Sequence, residues 1–200
     1  MDTGVIRAIN RLWLPVYPGL ARQVADHCPQ PPRSILEVGC FSGGTGTELL
    51  KLFPQSQLTI TLELPELAET FFDDWRDELA GLDAGRITII STPLDPLALA
   101  DSAYNLVFCR GVFFFLDEKG TLLAELHRVL VPGGIVFAGG GFGSHTPKSV
   151  IEPIADESRR LIYALGKTVV SPPQLREMLD DKCIKADIIQ DGGLWAAMKK

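Results

Sequence analysis

Two rhythms of apolar residues alternate along the chain. Residues 5–14 and 20–28 carry apolar side chains three and four apart, and Pro15 and Pro18 interrupt them, so two short helices are expected at the start. Over 34–38 the rhythm becomes a compact apolar run ending at Gly39, and from Gly43 helical spacing returns through Leu49, Leu50 and Leu52 to Pro54. This predicts a strand, a glycine turn and a helix. Residues 58–62 are short and rich in β-branched side chains, and Leu64-Pro65 opens a helix at Glu66 with proline near its first position. A third strand is expected at 86–90 and a fourth at 105–109. A charged-faced helix follows at 119–131, stopped by Pro132-Gly133-Gly134, and then a fifth strand at 134–138.

Strands that read as continuous apolar runs, separated by amphipathic helices, indicate a parallel sheet covered on both faces with right-handed crossovers. The last 60 or so residues follow another pattern, with helical segments at 149–165 and 173–179 and then apolar runs at 184–189 and 194–198. The last two flank Asp191-Gly192-Gly193, which predicts a β-hairpin and an antiparallel edge. The expectation is therefore an α/β fold, doubly wound, with a mostly parallel seven-stranded sheet. No repeat, low-complexity tract or linker divides the chain, so a single domain is expected.

Composition narrows the partners. At 200 residues with 46% hydrophobic and 22% charged side chains, the chain can bury one substantial core. The formal net charge is -6 and the densest basic pairs are Arg159-Arg160 and Lys199-Lys200, so no nucleic-acid partner is expected. The longest apolar stretches, such as 111–116, fall far short of the roughly 18 residues of a membrane span. Met1-Asp2-Thr3 lacks a basic start, so no signal peptide is expected. Cys28, Cys40, Cys109 and Cys183 form no C-x-x-C pair, which suggests neither zinc nor disulfides and favours a reduced, cytoplasmic protein without a metal.

In an open α/β sheet a ligand sits outside the carboxyl ends of the strands, beside the first. The turn there reads Gly39-Cys40-Phe41-Ser42-Gly43-Gly44-Thr45-Gly46 after Leu36-Glu37-Val38, and its glycines allow close backbone approach at a helix N-terminus. Glu63 ends the second strand 20 residues after Gly43, where a carboxylate can accept from both ribose hydroxyls. A solvated strand end or a helix cap is the plainer reading of the same residue. There is no G-x-x-x-x-G-K-[ST], which excludes a P-loop. Phe41 occupies the second glycine position of G-x-G-x-x-G, where it would crowd a pyrophosphate, so a nicotinamide dinucleotide is a distant third reading.

Four segments resemble the class I S-adenosylmethionine-dependent methyltransferases, and within them the small-molecule, type 11-like group. They are Ile35-Leu36-Glu37-Val38-Gly39-Cys40, Leu62-Glu63-Leu64, Tyr104-Asn105-Leu106-Val107-Phe108-Cys109-Arg110-Gly111-Val112 and His127-Arg128-Val129-Leu130-Val131-Pro132-Gly133-Gly134. The resemblance implies a Rossmann-like core at 34–140, N-terminal cap helices at 1–33, and helices with a terminal hairpin at 141–200. It implies S-adenosylmethionine as cofactor, S-adenosylhomocysteine as product, and Glu37, Gly39, Cys40, Phe41, Ser42 and Gly43 along the first cofactor-binding segment. Glu63 and Leu64, then Thr92, Pro93 and Leu94 with Asp95 near the adenine, and Cys109, Arg110 and Gly111 complete that set.

Departures from the family pattern are Phe41, which stands where glycine is usual, Asn105 for aspartate, and a non-acidic exit from strand three. The implied reaction is in-line transfer of a methyl group to a small-molecule acceptor, driven mainly by alignment. The alternative is a catalytically degenerate module that binds cofactor or partner without turnover.

Acceptor-side candidates are few. Arg110 could bind an anionic substrate or form a surface ion pair, and His145 could act as a base or face solvent. Phe113, Phe114 and Phe115 could line a pocket or belong to the core. Trp13 and Tyr17 could cap the methionine end of the cofactor. His127 reads as structural, and Trp195 as packing or a dimer edge. The acceptor's identity and the oligomeric state are not encoded in these patterns.

Overall fold

The computed structural model describes residues 2–114, 116–117, 119–166 and 170–200. Two helices, α1 (Thr3–Leu12) and α2 (Tyr17–Asp26), precede β1 (Ser34–Val38), α3 (Gly44–Leu52) and β2 (Gln57–Leu62). Two short helices follow, α4 (Pro65–Glu69) and α5 (Phe71–Asp74), then β3 (Ile87–Ser91) and β4 (Tyr104–Arg110). The remainder comprises α6 (Thr121–Arg128), β5 (Leu130–Gly140), α7 (Lys148–Ile151), α8 (Ala155–Ala164), α9 (Pro172–Asp181), β6 (Ala186–Ile189) and β7 (Leu194–Lys199).

One sheet of seven strands runs in the order β3-β2-β1-β4-β5-β7-β6. The first five are parallel, and β7 enters antiparallel between β5 and β6. The expected doubly wound, mostly parallel sheet with an antiparallel hairpin is therefore the observed fold. Strand alternation sorts the core into two layers. Ile35, Leu106, Phe108, Ile135, Phe137 and Trp195 pack with α1, α2, α3 and α8 on one face. Leu36, Val107, Cys109, Val136 and Met198 pack with α6 and α9 on the other.

Three boundaries differ from expectation for local reasons. The helix expected over 119–131 stops at Arg128, because Leu130 pairs with Tyr104 and β5 begins before Pro132. The helix expected over 149–165 is two, α7 and α8, divided at Pro153, whose missing N–H breaks the ladder. Tyr17 and Pro18 open α2 where the sequence pattern predicts an interruption, since proline is tolerated in the first turn.

Strand order reverses between β1 and β4, where successive crossovers leave in opposite directions. That is where an open α/β sheet forms a crevice at its carboxyl edge.

Candidate active site

The loop that leaves β1 is held from behind. Glu37 is fully buried, and its Oε2 accepts from the backbone N–H groups of Gly43 at 2.8 Å and Gly46 at 3.0 Å. Burial pushes this carboxyl up to about 7, against the pull of those two N–H groups and the positive field of Arg110. In front of the loop, the Trp75 indole lies against Gly43 and the Tyr17 ring against Gly44. A Cβ at these glycines would come within 2.5 Å and 2.1 Å of the respective rings. Glycine is required here for close approach, and Gly43 also sits at a φ of 123°.

A cleft of about 320 Å³ opens at the carboxyl ends of β1 and β2. Cys40, Ser42 and Leu62 form its floor, Phe71 and Trp75 one wall, and Asn10 of α1 the other. Arg7 bridges the walls, donating from Nε to Asp74 at 2.8 Å and from Nη1 to Glu66 at 3.0 Å. Beside the floor, Glu63 accepts from its own backbone N–H and from the Cys40 thiol, and burial raises its pKa. Its Oε2 and the Ser42 hydroxyl are buried without a hydrogen-bond partner.

Across the Phe41 ring lies a second space. It starts as a slot of about 30 Å³ between Phe41, Arg110, Gly111 and Phe114, and a chamber of about 460 Å³ adjoins it. Trp13, Phe113, Gly140, Gly141 and Ile162 line both. Arg110 stands at the partition, 4% exposed, with its Nη2 donating to Asn10 Oδ1 (2.8 Å), Phe41 O (2.9 Å) and Tyr17 Oη (3.0 Å). Its guanidinium carbon lies 4.5 Å from the Trp13 ring centroid, 5.1 Å from that of Phe41 and 5.3 Å from that of Tyr17.

With this geometry established, a family model described as a methyltransferase domain matches residues 36–138. The chain belongs to that family, within the class I S-adenosylmethionine-dependent methyltransferases. A relative named malonyl-[acyl-carrier protein] O-methyltransferase 2, from Ilyobacter polytropus, is 24% identical over 149 residues, 74% of this chain and 54% of its own length. A namesake from Legionella pneumophila is 28% identical over 110 residues, 53% of this chain and 36% of the other. The chain spans about half, or less, of the length of these curated relatives. Among solved structures, a provisionally assigned S-adenosylmethionine-dependent methyltransferase from Methanococcus maripaludis superposes with a TM-score of 0.82 at 22% identity. That match covers 100% of this chain and 93% of the other.

The methyltransferase fold brings together most of the residues singled out by sequence, on two sides of one loop. Cys40 and Ser42 face the cleft, while Phe41 turns the other way and packs on Phe114 with ring centroids 5.0 Å apart. Glu37 stands behind the loop, and its buried carboxylate positions Gly43 and Gly46 without lining the cleft. Gly39 turns the chain at a φ of 101°, its N–H bonded to Thr61 O. Leu64 leads into α4, and the Thr92 N–H joins Leu62 O at 3.1 Å, which sets Thr92 and Pro93 beside the end of β2. Leu94 is buried among Leu36, Val38 and Val107 on the opposite face, and Asp95 is exposed. Cys109 is fully buried in that same layer, with its thiol pKa raised by burial. Asn105 accepts from the N–H groups of Arg33 and Ser34, both at 3.1 Å, so it ties β4 to the start of β1.

Two candidates carried two readings each, and their surroundings separate them. His145 is half-exposed and its Nε2 lies 2.7 Å from Asp26 Oδ2, because its loop folds back on α2 through the Ser144 N–H bond to Gln23. It reaches neither space and is not placed as a base. Arg110 is not a surface ion pair, since it is buried among aromatic rings. Phe113 is buried yet lines the slot and chamber, and Phe114 borders the slot, whereas Phe115 lies outside the described residues. His127 contacts Lys199 O at 3.2 Å, far from the site. Trp195 is fully buried and stacks on Phe137 at 5.0 Å, so it is core and not an exposed edge.

Sequence reading passed over Trp75, Phe71, Asn10 and Arg7. Phe71 and Trp75 stand four apart just after the second strand, an aromatic pair on one helical face that could have signalled the wall.

Proposed function

We propose that this protein transfers a methyl group from S-adenosylmethionine to a small-molecule acceptor. One observation carries the reading. The unpartnered buried Glu63 Oε2 and Ser42 hydroxyl stand beside a cleft at the carboxyl ends of β1 and β2, where a ribose diol would satisfy them. The residues present therefore fit the cofactor that the fold family implies. Glu63 would accept from the ribose, with Leu64, Thr92 and Pro93 flanking the adenine and the loop at 39–43 meeting the methionine part. Leu94, on this reading, supports its segment from the core.

When bound, the cofactor supplies a methyl group already activated on a sulfonium sulfur. The chain's part is alignment and exclusion of water, which can account for roughly 7–11 kcal/mol of a bimolecular barrier. Tyr17, Trp75 and Asn10 cover the loop from the cap side, while Phe41 and Arg110 separate the cleft from the aromatic chamber, which would take the acceptor. On this reading residues 1–33 cap the site, 34–140 hold the cofactor and 141–200 build the acceptor side. The relatives' name points to carboxyl O-methylation as one acceptor chemistry. No helix among the described residues is long and apolar enough to cross a membrane. The acidic net charge and the lack of any C-x-x-C spacing support a cytoplasmic place with no nucleic-acid partner.

Calorimetric titration with S-adenosylmethionine and S-adenosylhomocysteine tests the reading. Both should bind at micromolar concentrations, and absence of heat with either ligand at high micromolar levels would overturn it.

A further inference from the structure

Arg110 is a buried cation without a counter-ion. No Asp or Glu among the described residues forms an ion pair with it. Glu37 feels its field from behind the loop, but that carboxylate is committed to Gly43 and Gly46. The Arg110 Nη2 serves three neutral acceptors, and its Nε–H, buried in the wall of the slot, has no partner. Aromatic faces offset part of the desolvation of a guanidinium, yet an unmatched charged donor remains costly. An anion entering the slot would satisfy both the charge and the Nε–H.

The rest of the wall limits what that anion can be. The chamber beyond the slot is mainly apolar and aromatic, with Trp13 stacked on Phe142 at 4.8 Å and Phe113 and Ile162 beside them, while Arg159 on its wall is already paired with Asp156 at 2.9 Å. None of the described residues lining slot or chamber is Asp, Glu or His. Phenols, ammonium groups and carbon acids must lose a proton to become nucleophiles, and none of the described residues of this wall is a carboxylate or imidazole to take one. A carboxylate arrives already ionised near neutral pH.

We infer that the acceptor is a small carboxylate with a flat apolar body, its body in the aromatic chamber and its anionic end on the Nε edge of Arg110. The inference rests on the methyltransferase reading and names its substrate class. A carboxylate oxygen forms the new bond to the methyl carbon while the carbon–sulfur bonding pair stays on sulfur. Negative and positive charges cancel, the products are a methyl ester and a neutral thioether, and no proton moves. Arg110 then orients the acid and fixes specificity without acting as acid or base.

The test is calorimetry on protein saturated with S-adenosylhomocysteine, using cinnamate, phenylacetate and indole-3-acetate, each against its own primary amide. At least one acid should bind ten or more times tighter than its amide. With S-adenosylhomocysteine kept saturating for each variant, Arg110→Gln should abolish that preference and Arg110→Lys should retain part of it, through charge without the planar edge. Equal binding of acids and amides, or no acid binding at millimolar concentration, overturns the inference while S-adenosylhomocysteine binding stands. An acid preference that survives Arg110→Gln undiminished also overturns it. Absence of S-adenosylhomocysteine binding to the wild type is a separate failure, that of the methyltransferase reading. If Arg110→Gln does not fold, the acid–amide comparison in wild type and Arg110→Lys still decides.

Discussion

Glu37 and Glu63 are both strand-end carboxylates beside the same loop, and their surroundings give them different work. Glu37 accepts both of its hydrogen bonds at Oε2 and keeps Oε1 unpartnered in the interior. Its pKa rises from 4.5 to about 7 on folding, so between those values the native state holds more protons than the unfolded chain. Stability from this group is full below pH 4.5 and is lost as pH rises through about 7, a fall of about 3 kcal/mol. Urea unfolding midpoints should therefore drop from pH 5 to pH 8. Glu37→Gln should flatten that drop, because an amide oxygen can accept the same two N–H bonds without titrating. A slope unchanged by the substitution would show that another group carries it. Glu63, by contrast, lies beside the cleft with an oxygen to spare. Glu63→Ala should weaken S-adenosylhomocysteine binding by about 1.5–3 kcal/mol, the range for a charge-assisted bond, with little change in the unfolding midpoint. Isothermal titration would show this, and unaltered affinity would remove Glu63 from the site.

At the level of elements, glycines decide how the hairpin closes the sheet. The end of β5 and the turn before β7 touch backbone to backbone. A Cβ on Gly141, at a φ of 144°, would sit 2.3 Å from Gly192 O and 2.4 Å from Gly193 Cα. The sequence shows both glycine clusters, and the hairpin is legible from Asp191-Gly192-Gly193 alone. Their contact is not legible, because it joins segments some 50 residues apart that only the β5–β7 pairing brings together. Gly133 has a similar backbone demand at a φ of 79°, with nothing within 4 Å of an added Cβ. Gly133→Ala should thus cost only the left-handed strain of about 1–2 kcal/mol. Gly141→Ala adds overpacking of about 1–3 kcal/mol to a comparable strain, because neither facing backbone can swing aside. Equilibrium denaturation of the two variants should rank them in that order, and equal losses would refute the close contact.

Across the whole molecule, local rhythm was enough to read the fold class, since apolar runs and helical spacing carry the seven strands and the two-layer core. The assembled site was less legible. Arg110 looks like a strand-end surface charge until α1 and α2 fold over it, and the spacing of Phe71 and Trp75 marks an aromatic face without showing that Trp75 meets Gly43. The same packing bears on whether residues 1–33 are a detachable cap. Ile6, Ile9, Trp13, Tyr17, Leu20 and Val24 are buried in the same layer as Ile35, Leu49 and Leu50, with α2 running along α3. Each such side chain contributes about 1.5–3 kcal/mol on burial, so before ordering entropy is subtracted six of them are worth about 9–18 kcal/mol, comparable to the whole margin of about 5–15 kcal/mol typical of a folded domain. A chain beginning at residue 30 should accordingly lack a cooperative urea transition and bind no S-adenosylhomocysteine, with helical signal below that of the intact protein. A truncated chain that unfolds sharply would instead show that the first two helices sit on a core complete without them.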